Sequence, residues 1–130
     1  LGKNPDTKQL CLANDLEFFL SFCLARFDCY WLTTHCKGDI EPALNYLTPY
    51  ADQSQMALLT QIKASSFKTF KTEALFGDFI WIDDQPTAYE LQFLDDNDLL
   101  DRWFEVNTRQ DMNGLTKLLP LLQERLARAV

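Results

Sequence analysis

Short apolar runs alternate with amphipathic stretches along the chain, and this alternation is the main signal for its structure. Residues 14–27 carry apolar side chains at helical spacing, which predicts a first helix. Asn14 and Glu17 at its start are spaced like a capping box. Short, aromatic, β-prone segments predict three buried strands, at residues 28–34, 78–82 and 102–107. Further helices are predicted at residues 38–47, 52–62, 67–76, 86–98 and 114–130. The second of these could also enter a short edge strand, and Pro120 must bend or split the last one.

Strands that alternate with helices favour right-handed crossovers and a parallel sheet covered on both faces. We therefore predict a single α/β domain over residues 1–130, with a three-layer, Rossmann-like parallel sheet. Ligands of such sheets bind beyond the carboxyl ends of the strands. Asp83 and Asp84 follow one predicted strand, and Thr33 and Thr34 end another. These four residues are the first candidates for a site.

The adjacent carboxylates Asp83 and Asp84 follow the apolar run Phe79–Ile82. Two such neighbours repel each other, and they are tolerated at little cost in open solvent or beside a cation. One of them is accounted for if it caps the helix that begins at Pro86. A hard cation such as Mg²⁺ would account for the second. The local pattern leaves the structural and the functional interpretation equally open.

Composition narrows the class of protein and of partner. With 47% hydrophobic residues the chain has the material for a packed core, and its net charge of −7 argues against binding to nucleic acid. No apolar run approaches the ~18 residues of a membrane span, so we expect no membrane partner. The four cysteines are unevenly spaced and three lie in apolar surroundings, which is typical of reduced thiols and of a cytoplasmic protein.

Three segments, taken in chain order, resemble motifs of the haloacid dehalogenase superfamily of Mg²⁺-dependent phosphotransferases. "CYWLTTHCKGD" is similar to its second motif, an apolar strand that ends in Thr or Ser. "FKTFKTEAL" is similar to the third, which supplies a lysine, and "FIWIDDQP" to the fourth, a metal-binding acidic strand end. The resemblance implies a Mg²⁺-dependent phosphohydrolase that acts on a phosphorylated small molecule, a phosphomonoester. Only two short elements separate the second motif from the lysine, so no large cap domain is expected there.

The resemblance also implies a role for each matching residue. Thr33, or Thr34 if the strand ends one residue later, would contact the phosphoryl oxygens. Lys71, with Lys68 as the alternative, would steady the charge of the transferred phosphoryl group. Asp83 would coordinate Mg²⁺, and Asp84 would support it. Such roles fit phosphoryl transfer, which depends largely on positioning and charge neutralisation.

The superfamily's first motif, a strand ending in Asp-x-Asp that supplies the nucleophile, has no counterpart here. Asp6 lies in a polar segment and Asp15 in the first turn of a predicted helix. Either the motif lies upstream of Leu1, or the chain is a non-catalytic binding or regulatory module. If a central strand is missing, residues 29–33 and 79–83 should be separated by a gap. Otherwise they should pair directly, or residues 8–13 should lie between them.

Overall fold

The computed structural model describes residues 1–33 and 38–128. Within these ranges the chain forms five α-helices, which we label α1 to α5, and four short strands, β1 to β4. In chain order the elements are β1 (Gly2–Lys3), β2 (Leu10–Cys11), α1 (Leu16–Arg26), α2 (Glu41–Leu47), α3 (Gln53–Leu59), β3 (Trp81–Asp83), α4 (Ala88–Asp96), β4 (Trp103–Glu105) and α5 (Gly114–Arg128). Short 3₁₀ turns lie at Thr48–Tyr50, Lys71–Ala74 and Leu100–Arg102.

The predicted three-layer parallel sheet is wrong. The described residues contain two sheets of two strands each, an antiparallel pair of β1 with β2 and a parallel pair of β3 with β4. The predicted strand over residues 28–34 is reduced to one parallel bridge between Tyr30 and Lys63. The apolar runs predict strands that are buried on both faces. In β3, however, Trp81 is buried while Ile82 is exposed. Burial against helices accounts for the apolar residues without a long ladder.

The core lies mainly between helices. Helices α1, α3 and α5 supply most of its buried side chains, with Phe19, Leu20 and Cys23 from α1. Leu115, Leu118 and Leu122 of α5 follow one another at helical spacing and are all buried, and the helix continues through Pro120 without splitting. Full burial of such a side chain contributes about 1.5–3 kcal/mol each, so this stripe fixes α5 against α1.

The start of α1 does not have the predicted capping box. Its N-cap residue is Asp15, which has a φ of 61° and makes no side-chain cap. The Asp15 carboxylate accepts a hydrogen bond from the Thr116 hydroxyl (2.5 Å), and the Asn14 amide donates one to Asn113 (2.9 Å). The side chains of Asn14 and Asp15 therefore bind the beginning of α5 and do not cap the backbone N–H groups in the first turn of α1.

Complete capping boxes begin two other helices. Asp52 and Gln55 form one at α3, and Thr87 and Glu90 form one at α4. In each, the cap side chain accepts from the third backbone N–H of the helix, and the residue there accepts from the cap backbone. Thr87 therefore caps α4, and the expectation that Asp83 or Asp84 caps it is wrong.

Across the described part of the chain, no helix combines the length and the apolar character that a membrane crossing requires.

Candidate functional site

A cleft with a volume of about 890 Å³ opens beside β3. Its lining includes residues 26–33, 74–84 and 106–109, together with others such as Leu1 and Tyr46. Thr33, Lys71, Asp83 and Asp84 all line it. The structure thus brings four of the residues that the sequence singled out to one cavity, although they are spread from residue 33 to residue 84.

Backbone hydrogen bonds hold Asp83 at the end of β3. In the parallel pair, Asp83 lies in register with Glu105. Its carbonyl oxygen accepts from the backbone N–H of Val106 and from the indole N–H of Trp103, each at 3.2 Å. One donor belongs to β4 and the other directly follows it, so the pairing of β3 with β4 fixes the position of the Asp83 backbone.

Lys71 and Asp83 form an ion pair in this cleft. The Lys71 Nζ atom lies 2.6 Å from Asp83 Oδ2, and the two side chains are 26% and 10% exposed. Burial by itself raises the pKa of Asp83, but hydrogen bonds from the Lys71 ammonium and from Asp84, with the positive charge of Lys71, lower it further than burial raises it. The pKa of Asp83 therefore lies below the ordinary aspartate value, and the carboxylate is ionised at neutral pH.

The two adjacent carboxylates occupy different environments. Asp84 is exposed, and its Oδ1 atom accepts from the Gln85 backbone N–H at 2.8 Å. Asp83 is largely buried, and its Oδ1 atom accepts from the Asp84 backbone N–H at 2.8 Å. One carboxylate thus lies in solvent and the other beside a cation, the two conditions under which such neighbours are tolerated. The cation beside Asp83 is the ammonium of Lys71.

Sequence reasoning missed Glu90, a buried carboxylate on α4. Its Oε2 atom accepts from the backbone N–H of Lys71 at 2.6 Å, and its Oε1 atom accepts from the backbone N–H of Thr87 at 2.8 Å. Glu90 therefore joins the 3₁₀ turn that carries Lys71 to the helix that follows the acidic pair. The signal in the sequence was the Thr87-x-x-Glu90 spacing, which is that of a capping box.

Thr33, Thr34 and Lys68 are the remaining candidates from the sequence. Thr33 is partly buried and follows Trp31, whose backbone N–H donates to Lys63 O at 2.8 Å. Thr34 lies outside the described residues. Lys68 is exposed and is not among the residues that line the cleft, whereas Lys71 is. Of the two alternative lysines, Lys71 is the one at the cavity.

Residues 29–33 and 79–83 all line the cleft. Both segments are fully described, and no ladder hydrogen bond joins them; β3 pairs with β4, while Tyr30 pairs with Lys63. Residues 8–13 do not lie between them as a substitute strand, since β2 pairs with β1. The buried indole N–H groups of Trp31 and Trp81 have no acceptor among the described residues. Neither direct pairing of the two segments nor a substitute strand between them is therefore present among these residues.

The donor set for a metal at this cleft is small. In residues 1–33 and 38–128, no group of three or more His, Cys, Asp or Glu side chains is arranged to hold a metal ion. Mg²⁺ keeps several waters and commonly binds proteins through one or two carboxylates together with substrate phosphates. Asp83 and Asp84 are two carboxylates of the type that such a site uses.

Comparisons with protein-family models, with curated proteins and with solved structures find no match to this chain. The resemblance to haloacid dehalogenases stays a prediction that rests on three short motifs.

Proposed function

We propose that the cleft beside β3 is the phosphoryl site of a Mg²⁺-dependent phosphohydrolase that acts on a phosphomonoester. The observation that carries the proposal is the presence of Thr33, Lys71, Asp83 and Asp84 around one cavity. Hydroxyl, ammonium and carboxylate groups at one cavity are the set that a phosphoryl group and its metal ion require. The net charge of −7 is compatible with a phosphate ligand if a cation is bound, because a divalent ion reverses the local sign of the charge.

Each group has a role in this proposal. Lys71 neutralises a phosphoryl oxygen, and the Thr33 hydroxyl donates to another. Asp83 and Asp84 would hold Mg²⁺, which would supply positive charge at the phosphoryl oxygens. Lys71 pairs with Asp83 at 2.6 Å, so Asp83 would have to leave Lys71 in order to hold the metal ion, and the Lys71 ammonium would then be available to a phosphoryl oxygen.

A second candidate function is a non-catalytic module that binds a phosphorylated ligand with Mg²⁺. This candidate needs no nucleophile, and residues 1–130 contain no strand ending in Asp-x-Asp. The same cleft and the same four residues would bind the ligand in either case. The two candidates differ only in whether phosphate is released.

Binding and turnover should be measured on the same samples. We would titrate the protein with ribose 5-phosphate in the presence and absence of Mg²⁺ by calorimetry, and assay phosphate release from a panel of phosphomonoesters. Lys71→Met and Asp84→Asn should each weaken Mg²⁺-dependent binding at least tenfold. Lys68→Met and Asp95→Asn are matched controls, because both residues are exposed and do not line the cleft, and they should leave binding unchanged.

The outcomes separate the candidates. Mg²⁺-dependent binding with phosphate release supports the phosphohydrolase, and binding without release supports the non-catalytic module. Absence of binding at millimolar ligand, with or without Mg²⁺, would refute both.

A further inference from the structure

The cleft beside β3 is much larger than a phosphate group needs. Its volume of about 890 Å³ lies in the range of sites that enclose a whole organic ligand, roughly 300–1,000 Å³. Such sites are mostly apolar and have a few polar groups that fix the orientation of the ligand. Thr33, Lys71, Asp83 and Asp84 are four of the polar groups of the cleft, and its aromatic side chains bear on the organic part of a substrate.

Two exposed aromatic side chains, Tyr30 and Phe76, stand on that wall. Their ring centroids lie 5.4 Å apart and the ring planes meet at 80°, an edge-to-face pair. Tyr30 is 40% exposed and Phe76 is 65% exposed. Burial of an aromatic ring is strongly favourable, so a cavity wall that keeps two of them accessible offers stacking surface to a ligand.

Both rings are carried by backbone that the structure holds in place. Around Tyr30, the Lys63 backbone N–H donates to Cys29 O and its carbonyl accepts from the Trp31 N–H, at 2.9 and 2.8 Å. Phe76 precedes Gly77, whose φ of 62° is a left-handed conformation that glycine adopts without strain. The turn at Gly77 therefore presents Phe76 at the rim.

The aromatic pair lies within reach of the phosphoryl groups. Tyr30 and Thr33 belong to the same segment, and three residues of chain span at most about 11 Å. One ligand of moderate size can therefore contact the Thr33 hydroxyl with its phosphate and the Tyr30–Phe76 pair with its other end.

We propose that the cleft takes a phosphomonoester whose organic part carries a planar aromatic ring, with nucleoside monophosphates as the representative class. The phosphate binds at Thr33 and Lys71, and the ring stacks on the Tyr30–Phe76 pair. This inference rests on the proposed function, since it assigns the substrate class of the same site. A planar base has a π-face whatever its identity, so stacking selects for a ring rather than for one base.

Three commercial probes test the inference: adenosine 5′-monophosphate, ribose 5-phosphate and adenosine, each titrated with Mg²⁺ by calorimetry. The first two share the phosphate and the sugar and differ in the ring. We expect the nucleotide to bind at least tenfold more tightly than ribose 5-phosphate. Phe76→Leu, which keeps apolar bulk and removes the ring, should bring the two affinities within threefold of each other.

Phe18→Leu is the matched control. Phe18 is as exposed as Phe76, at 68%, but it lies on a separate groove between α1 and α5. This variant should bind the nucleotide as the wild type does. Because Phe76 is exposed, Phe76→Leu should also melt within a few degrees of the wild type, and a melting curve checks this.

The outcomes distinguish the ring site from the phosphoryl site. Equal affinity for the nucleotide and ribose 5-phosphate would overturn the ring site and leave the proposed function standing. Binding of adenosine as tight as that of the nucleotide would overturn the phosphoryl site, and the phosphomonoester class with it. Failure of all three probes to bind would overturn both.

Discussion

The backbone N–H of Lys71 donates to Glu90 Oε2 at 2.6 Å, while the side chain of Lys71 reaches Asp83 Oδ2 at the same distance. Lys71 is thus held at two points, by its main chain to α4 and by its ammonium to the end of β3. Glu90 is buried, so water could not easily replace the backbone N–H groups that donate to its carboxylate. The position of the lysine depends on a residue that does not line the cleft.

Glu90→Gln tests this dependence. The amide keeps one acceptor oxygen, so either the Lys71 or the Thr87 backbone N–H faces an NH₂ group. One buried donor left without an acceptor should lower the free energy of unfolding by about 1–3 kcal/mol. Mg²⁺-dependent binding of ribose 5-phosphate should also weaken, because Lys71 loses its anchor. Denaturant unfolding and calorimetry measure the two effects.

Thr87→Ala is the control, since it removes the other half of the capping box and leaves the Lys71–Glu90 bond in place. It should cost about 1 kcal/mol of stability and leave binding unchanged. Equal loss of binding in both variants would show that Glu90 acts only as a helix cap.

The ion pair of Lys71 with Asp83 predicts a pH-dependent stability. The pKa of Asp83 in the folded chain lies below its ordinary value of about 3.9, so the pair stabilises the fold above about pH 4 and is lost as pH falls through the folded pKa. Asp83→Asn should therefore be less stable than the wild type by about 1–3 kcal/mol at pH 7. The two unfolding curves should converge as pH is lowered below 4.

The double variant Lys71→Met with Asp83→Asn isolates the pair. If the two side chains stabilise each other, its loss of stability should be smaller than the sum of the two single losses. Additive losses at pH 7 would contradict a stabilising ion pair.

Cys23 should be unreactive in the folded chain. Burial, with a smaller contribution from Cys29, raises the pKa of the Cys23 thiol to about 12. At pH 8 only about 1 in 10⁴ of these thiols is ionised, and the thiolate is the nucleophile. Iodoacetamide should therefore label Cys11, which is partly exposed, well before Cys23. Peptide mass spectrometry resolves the two sites, and rapid native labelling of Cys23 would contradict its burial in the core.

Gly2 lies where no side chain fits. A Cβ atom there would lie 2.1 Å from Met112 Sδ and 2.3 Å from the carbonyl oxygen of Thr108. The Met112 side chain can move but the backbone at Thr108 cannot do so cheaply, so Gly2→Ala should cost about 1–3 kcal/mol. Gly114→Ala is the comparison, because its Cβ would meet only side-chain atoms, of Val106 at 3.1 Å and of Thr108 at 3.8 Å. Thermal melts of both variants should show the larger loss at Gly2.

The sequence predicted most helices and failed on the sheet, for a physical reason. Helix periodicity depends on neighbours within a turn, so the segments containing all five of α1 to α5 could be found from local spacing, whereas the predicted helix over residues 67–76 contains only the 3₁₀ turn Lys71–Ala74. Strand pairing depends on distant partners, and an apolar run such as residues 79–82 does not say whether a second strand lies beside it. β1 and β2 have two residues each, too few to show alternation.

Part of the candidate site could likewise be predicted from the sequence without knowledge of tertiary contacts. Asp83, Asp84, Lys71 and Thr33 were found because their residue types suit phosphate and metal chemistry, and no tertiary contact was needed to suspect them. Glu90 was missed because a Thr-x-x-Glu spacing accounts fully for a glutamate at a helix start. Its contact with Lys71 spans 19 residues and could not be inferred from that local pattern.

The contacts that join Asn14 and Asp15 to Asn113 and Thr116 also bear on how the chain folds. They link residues 99 and 101 positions apart, and Leu1 O accepts from the Thr108 hydroxyl across 107 positions. Closing loops of this length has an entropic cost that shorter loops avoid, and contacts of high sequence separation slow folding. We expect these contacts to form late, and on the ribosome only after the segment that begins α5 has emerged. Synthesis order and folding order therefore run in opposite directions for the N-terminal residues of this chain.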